Sequence, residues 1–304
     1  MKPKLILAPV DFSTGSRAAL EHAARLALQQ GARLHVLHII DSYALATLAD
    51  RRGEAFESAA RHSMEHVRKA LDEWLGHTAL PADLEVTVEV GAPVHEILEH
   101  TKNLGADLLV AGVAGAGGHA DGAGSVAAKL ARKSVSDVLL VRAGHPQVFS
   151  KIVAALDFSG HSARVRAAAF ELAMLDSTAA EVDLLHVWTD PGSMLPVMGP
   201  FGESGLSLSQ AALPPREELL RSIHHSLQLH AAEAPPGLKG HEIALEHRKA
   251  AEGIAEHARA SQADVLVIGS LGHTNLRYLL LGSTAERLLA RTPCSLLVVK
   301  PQAA

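Results

Sequence analysis

Three glycines and two hydroxyl side chains beside an apolar run carry the clearest chemistry in this sequence. Gly269-Ser270-Leu271-Gly272 follows Asp264-Val265-Leu266-Val267-Ile268, and after nine more residues comes Gly282-Ser283-Thr284. The apolar run reads as a buried strand. The stretch from Thr284 to Arg291, rich in Ala, Leu, Glu and Arg, reads as a helix. Glycines at the carboxyl end of a strand let a ligand approach the main chain closely. A further glycine and two hydroxyl residues at a helix start offer backbone N–H groups and side-chain oxygens to an anion. Such an array can grip phosphates; the bland alternative is a glycine-rich turn kept for packing. His273, next to Gly272, is the nearest titratable side chain and could touch a phosphate. No G-x-x-x-x-G-K-[ST] sequence occurs, and no pair of carboxylates flanks the glycines. The expectation is therefore binding, with turnover slow or absent.

The spacing Gly269, Gly272, Gly282, Ser283 resembles the nucleotide-binding signature of the universal stress protein family. The resemblance runs twice over nearly the whole chain and is closest from Ala263 to Lys300. It implies an α/β fold of two tandem, open, mainly parallel five-stranded sheets with helices on both faces. It also implies a bound ATP, or AMP or ADP, with any Mg2+ arriving with the phosphates. Asp157 would then accept a hydrogen bond from the adenine amino group, with main-chain and apolar contacts from Ala155 and Leu156. Val187 would supply the backbone edge that reads adenine. Ile268 and Gly269 would lie under the ribose, Gly272 beside the phosphates, and Gly282, Ser283 and Thr284 would hold them. Asp157, followed by Phe158-Ser159, could instead simply start a helix, since both Asp and Ser favour caps.

The elements that must position these residues occur twice. Lys4 to Ser13 (KLILAPVDFS) returns as Lys151 to Ser159 (KIVAALDFS), and Arg33 to Asp41 is echoed by Val182 to Trp188. Gly105 to Gly112 returns as Gln262 to Gly269, and Val138–Arg142 as Leu296–Lys300. Landmarks repeated in one order mean a duplicated domain, here 1–145 and 149–304, joined by the short link Ala143-Gly144-His145-Pro146-Gln147. The resemblance implies that the two closing strands pair, giving an intramolecular pseudo-dimer and, from such units, a homodimer. In the first half the glycine pattern is degenerate. Gly112 and Gly115 match, but only eight residues separate Gly115 from Gly124-Ser125, and they lack the bulky apolar residues of the second copy. A Gly/Ala-rich loop costs more entropy to order, so this copy, which keeps Asp11, is expected to bind nucleotide weakly or not at all. Gly115 to Ala120 also fits G-x-G-x-x-A, but it follows a late strand and opens no helix, so that reading is rejected.

Within the first half, strands are expected at Leu5–Val10, Leu34–Ile40, Leu84–Val90, Leu108–Gly112 and Val138–Arg142, and helices at Ser16–Gln30, Glu54–Leu75 and Val94–Leu104. Strands alternating with helices imply a parallel sheet covered on both faces, with ligands at the carboxyl ends of the strands. The second half departs in two places. Arg248-Lys249-Ala250 stands where the first half has the turn Gly91-Ala92-Pro93, which puts two cations near the expected phosphates or ribose. Residues 189–215 form a Pro- and Gly-rich insertion, either a surface loop or a wall of the pocket.

Composition narrows the partners. Hydrophobic residues make up 48% and aromatics 3%, so the core must be aliphatic, and the formal charge is −5. With no basic block, neither nucleic acid nor an anionic membrane surface is an expected partner. One cysteine, Cys294, fits a reducing cytoplasm and reads as packing. No signal-peptide pattern or bilayer-length apolar run is present. The 19 histidines invite a metal reading, but the helical pair His62 and His66 lacks a third ligand, and no metal site is assigned. The expected function is a cytoplasmic, stress-linked sensor or regulator that binds an adenine nucleotide in its second half. A binding protein for a lipid-like ligand or an interaction scaffold is the alternative. A slow ATPase is the third reading.

Overall fold

The structure is a computed structural model that describes residues 3–115, 123–146, 148–175, 180–190, 214–271 and 281–301. The first half runs β1 (Leu5–Pro9), α1 (Thr14–Gln30), β2 (Arg33–Asp41), α2 (Ser42–Arg52), α3 (Phe56–Leu75), β3 (Glu85–Gly91), α4 (Pro93–Asn103), β4 (Leu108–Gly112), α5 (Ser125–Lys133) and β5 (Asp137–Val141). The second runs β6 (Lys151–Ala155), α6 (Ser162–Leu175), β7 (Glu181–Trp188), α7 (Arg216–Ala231), β8 (Lys239–Glu246), α8 (Ala250–Ala260), β9 (Val265–Gly269), α9 (Ser283–Leu289) and β10 (Ser295–Val299). The expected α/β architecture of two five-stranded halves is present.

Their ten strands form one sheet, ordered β3-β2-β1-β4-β5-β10-β9-β6-β7-β8. Pairing is parallel within each half. At the centre β5 meets β10 antiparallel, Val138 opposite Val298 and Leu140 opposite Leu296, the two closing strands read from the sequence. β1, β5 and β10 are buried along their whole length, which explains their unbroken apolar runs: both faces are covered. On one face α1, α3, α6 and α7 pack in a core that crosses both halves. On the other, α4, α5, α8 and α9 do the same.

Side chains are exchanged across the centre. Arg132 of α5 makes two bonds to Glu286 of α9, at 2.6 and 2.8 Å. Lys300 donates from its main chain to Asp137 and from Nζ to the Ala131 and Arg132 carbonyls at the end of α5. Arg142 mirrors it, with its main-chain N–H on Ser295 and its guanidinium on the Thr292 carbonyl beyond α9. The link is also anchored: Phe149 is buried and stacks on His22 of α1 at 4.8 Å.

Where element boundaries differ from the sequence reading, caps decide. The helix expected at 54–75 starts at Phe56, and the unexpected α2 precedes it. The Asp41 carboxylate accepts from the Tyr43 and Ala44 amides, and Gly53 ends α2 at φ 63°, a left-handed conformation that suits glycine. α1 begins at Thr14 because Ser13 caps it through the Ser16 amide. α9 stops at Leu289, two residues short of the expected Arg291.

Candidate functional site

Each half brings its first strand between the second and the fourth, so the chain direction across the sheet reverses beside β1 and beside β6. At such a switch point the connections leave in opposite directions and open a crevice at the carboxyl ends. A cavity lies in each crevice.

The second-half cavity has a volume of about 300 Å³. Ala155, Leu156, Asp157, Val187, Ile268, Gly269, Gly282, Ser283 and Thr284 all line it. These are all the second-half candidates except Gly272 and His273, which lie outside the described residues. Gly282 caps α9 without any capping side chain, so the first amides of that helix have no intrahelical acceptor. The Gly282 amide itself donates to Ser270 at 2.7 Å and fixes the turn. Asp157 both lines the cavity and organises the turn that follows. Its Oδ1 accepts from the Ser159 amide at 3.0 Å, the Ser159 hydroxyl at 2.6 Å and the Ser162 hydroxyl at 2.9 Å.

Phe158 is left-handed at φ 59°, an uncommon conformation for a bulky side chain. His186 holds it there by stacking on the Phe158 ring at 4.2 Å while donating Nδ1–H to the Leu156 carbonyl at 2.8 Å. The first half repeats the device with Phe12 at φ 63°, His38 at 4.9 Å from its ring, and His38 Nδ1–H on the Val10 carbonyl. Burial lowers the His38 pKa, and the bond to the Val10 carbonyl offsets part of that shift. Sequence reasoning gave these histidines no role, although their matching place in both copies was a readable signal.

It also missed His161, which lines the second-half cavity and whose Nε2 sits 3.0 Å from the Val299 carbonyl. A carbonyl only accepts, so Nε2 carries the proton. The imidazole lies beside Gly269, where an added Cβ would come within 2.8 Å of it. The first half has Gly15 at this place, and a Cβ on Gly15 would overlap the Ala114 carbonyl oxygen. The main chain after β4 thus settles onto Gly15, whereas the imidazole occupies the corresponding space after β9.

The first-half cavity, lined by Asp11, Gly112, Gly115, Gly124 and Ser125 among others, is larger, at about 780 Å³. The degenerate glycine pattern has therefore not closed it. By repeat alignment Ala111 stands for Ile268 and Ala114 for Leu271, so smaller side chains line the first-half cavity at these two places. The altered turn in the second half brings no cation to its cavity wall. Lys249 precedes α8 and its Nζ is held by Glu252 at 2.9 Å, and Ala250 is the residue of that turn on the wall.

Other candidates resolve simply. His62 pairs with Glu54 at 3.0 Å, and among the described residues no group of three or more His, Cys, Asp or Glu side chains could hold a metal ion. Cys294 is buried, and burial pushes its thiol pKa up to about 11. No described helix is long and apolar enough to cross a membrane.

Comparisons with known proteins agree with this fold. A universal stress protein of Mycolicibacterium smegmatis is 27% identical over 307 residues, covering 98% of this chain and 97% of its own. Universal stress protein A homolog 1 of Coxiella burnetii is 30% identical over 146 residues, 46% of this chain and 97% of its own. In three dimensions, a universal stress protein from Archaeoglobus fulgidus superposes with a TM-score of 0.65 at 20% identity, covering 99% of this chain and 97% of the other; it speaks to the fold alone. The model of the universal stress protein family matches residues 3–142 and again 149–300, and this chain belongs to that family as a tandem member.

Proposed function

We propose that the second half binds ATP or a related adenine nucleotide, and that the protein is a cytoplasmic sensor or regulator in stress response with little or no turnover. One observation carries this: the described second-half candidates, scattered from 155 to 284 in the sequence, line a single cavity at the switch point. The groups suit the ligand. Asp157 and the main chain of Val187 would face the base, Ile268 and Gly269 the ribose, and the α9 start with Ser283 and Thr284 the phosphates, any Mg2+ accompanying them. Gly272 and His273 would complete the phosphate side. Slow or absent turnover follows from the lining: Asp157 is the one carboxylate among the described lining residues, and its Oδ1 is taken up by the following turn. The β5–β10 junction is the proposed intramolecular pseudo-dimer, and a homodimer of such units is the proposed assembly.

The test is calorimetric titration of nucleotide-stripped protein with ATP and Mg2+, beside Gly282→Val. One saturable site per chain, lost in the variant, is expected. No binding by the wild type refutes the reading.

A further inference from the structure

The second-half cavity has no Lys or Arg among its described lining residues, yet the phosphates assigned to it carry several negative charges. The hydroxyls of Ser283 and Thr284 can hydrogen-bond such groups but cannot neutralise them. A cation stands nearby, supplied by the other half of the chain. The Arg132 guanidinium, from the last turn of α5, meets the Glu286 carboxylate of α9 through Nε at 2.6 Å and Nη2 at 2.8 Å. Glu286 lies three residues beyond Ser283, so the two share a face of α9, about 4.5 Å apart along its axis. Helical side chains lean towards the N-terminus. That aims Glu286, and with it the guanidinium, towards the α9 start, where Ser283 and Thr284 line the cavity.

The repeat gives an independent sign of this position. Arg132 and Ala290 are matching residues, each eight places after the glycine that opens its helix, Gly124 or Gly282. Ala290 crosses the junction to line the first-half cavity, and Arg132 stands at the corresponding place beside the second. By the same register Ala128 matches Glu286, so neither member of the ion pair has a charged counterpart beside the first-half cavity. The pair is also accessible, with side chains 41% and 34% exposed. Glu286 takes two of the five N–H groups of the guanidinium, which leaves three for a second acceptor. The planar fork of arginine matches phosphate oxygens in geometry as well as charge.

We propose that Arg132 is a phosphate-binding residue of the second-half site, contributed by the first half and held in place by Glu286. This rests on the nucleotide reading and deepens it: the outer phosphates meet the guanidinium, and the site is incomplete without the β5–β10 junction.

The test titrates ATP with Mg2+, and separately adenosine, which has no phosphate, into the wild-type chain, Arg132→Gln and Glu286→Gln by calorimetry. Arg132→Gln should weaken ATP about tenfold, as expected for one lost charge-assisted contact, and leave adenosine unchanged. Glu286→Gln should tighten ATP severalfold, because it keeps an acceptor for Arg132 and removes the competing negative charge. These opposite signs separate binding from support. A pair that only joined the halves would be broken by either substitution, and both would then act alike. Unchanged adenosine binding also shows that each variant keeps its cavity. The proposal is overturned if Arg132→Gln binds ATP as the wild type does, if it weakens ATP and adenosine equally, or if both substitutions shift ATP affinity in the same direction. Failure of all three proteins to bind either ligand would refute the nucleotide reading, and this proposal with it. ATP binding without the opposed shifts refutes this proposal alone.

Discussion

Lys300 gives the sharpest energetic test, because it is a cation buried at the junction of the halves. It is 5% exposed, and its ammonium caps α5 through the Ala131 carbonyl at 2.7 Å and the Arg132 carbonyl at 3.2 Å. Burial lowers its pKa from 10.5 to about 8, the nearby Asp137 carboxylate offsetting only part of the penalty. That displacement corresponds to about 3 kcal/mol against the charged form. The sign follows from linkage: between the folded and unfolded pKa values the unfolded chain holds the extra proton, so stability rises with pH. Little of the penalty is relieved at pH 7, about 2 kcal/mol by roughly pH 9.5, and the remainder towards pH 10.5 and beyond. Lys300→Met removes the titration but leaves two carbonyls uncapped, a cost that does not vary with pH. Urea denaturation of both proteins at about pH 7 and pH 9.5 isolates the difference. The destabilisation caused by Lys300→Met should be larger at the higher pH by about 2 kcal/mol. Parallel stabilities at the two pH values, or a gap that narrows, would show that the folded protein does not disfavour the charged lysine.

Acid should probe the opposite anchor. Burial first and Arg25 second push the His22 pKa down from 6.5 to about 4, and its Nδ1 has no hydrogen-bond partner. Its contribution is complete above pH 6.5 and falls as the pH drops towards 4, by about 2 kcal/mol at roughly pH 5; His22→Phe, which keeps a ring against Phe149, should abolish that share of the acid loss in urea midpoints. At Gly15 the added Cβ of Ala must displace the Ala114 carbonyl, at a cost of about 1–3 kcal/mol. Gly160, one place earlier in the matching turn, has open space around it, so Gly160→Ala should be neutral or slightly stabilising. Thermal melts of the two variants check this, and equal melting temperatures would contradict the path drawn for the main chain after β4.

Much of this architecture was legible because it rests on local pattern. Leu5 to Ser13 and Lys151 to Ser159 repeat one apolar run ending in Asp-Phe-Ser, and the buried strands read as apolar runs because they are covered on both faces. The candidate residues converge because strand order and the carboxyl-end rule fix where such loops must meet. α2 escaped because its residues have little apolar periodicity; its signals were the caps, Asp41 ahead and Gly53 behind. His161 and the His38 and His186 latches escaped for a different reason. Their partners, the carbonyls of Val299, Val10 and Leu156, are main-chain atoms in or just beyond other strands; the matching place of His38 and His186 in both copies marks the side chains, but not an acceptor that every residue possesses. The larger first-half cavity was hidden as well. Attention to the loop, where glycines are conspicuous, passed over Ala111 and Ala114, whose small size matters only once the floor they form is known.

The two halves have diverged in pairs where contact demanded it and singly where it did not. Beside the first-half cavity the turn is small and the helix large: a Cβ on Gly91 would lie 2.5 Å from Cγ of Glu96. Beside the second the sizes are exchanged, and a Cβ on Gly253 would lie 2.9 Å from Cβ of His247. A side chain at either glycine would need its neighbour to shift, which the flexible Glu96 side chain can do more readily than the Cβ of His247. Across the centre the same logic preserves symmetry: Lys300 caps the end of α5 and Arg142 reaches the carbonyl beyond α9, so each half completes the other. Ala111, Ala114 and Val126 line open space instead. Cavity-facing positions can change size and polarity without disturbing either the β5–β10 pairing or the exchanged caps. One rigid junction can therefore carry two crevices of the same origin, a smaller one furnished with Asp157, Ser283, Thr284 and His161 and a larger one furnished with Asp11, Ser13, Ser16 and Ser125, each among aliphatic groups.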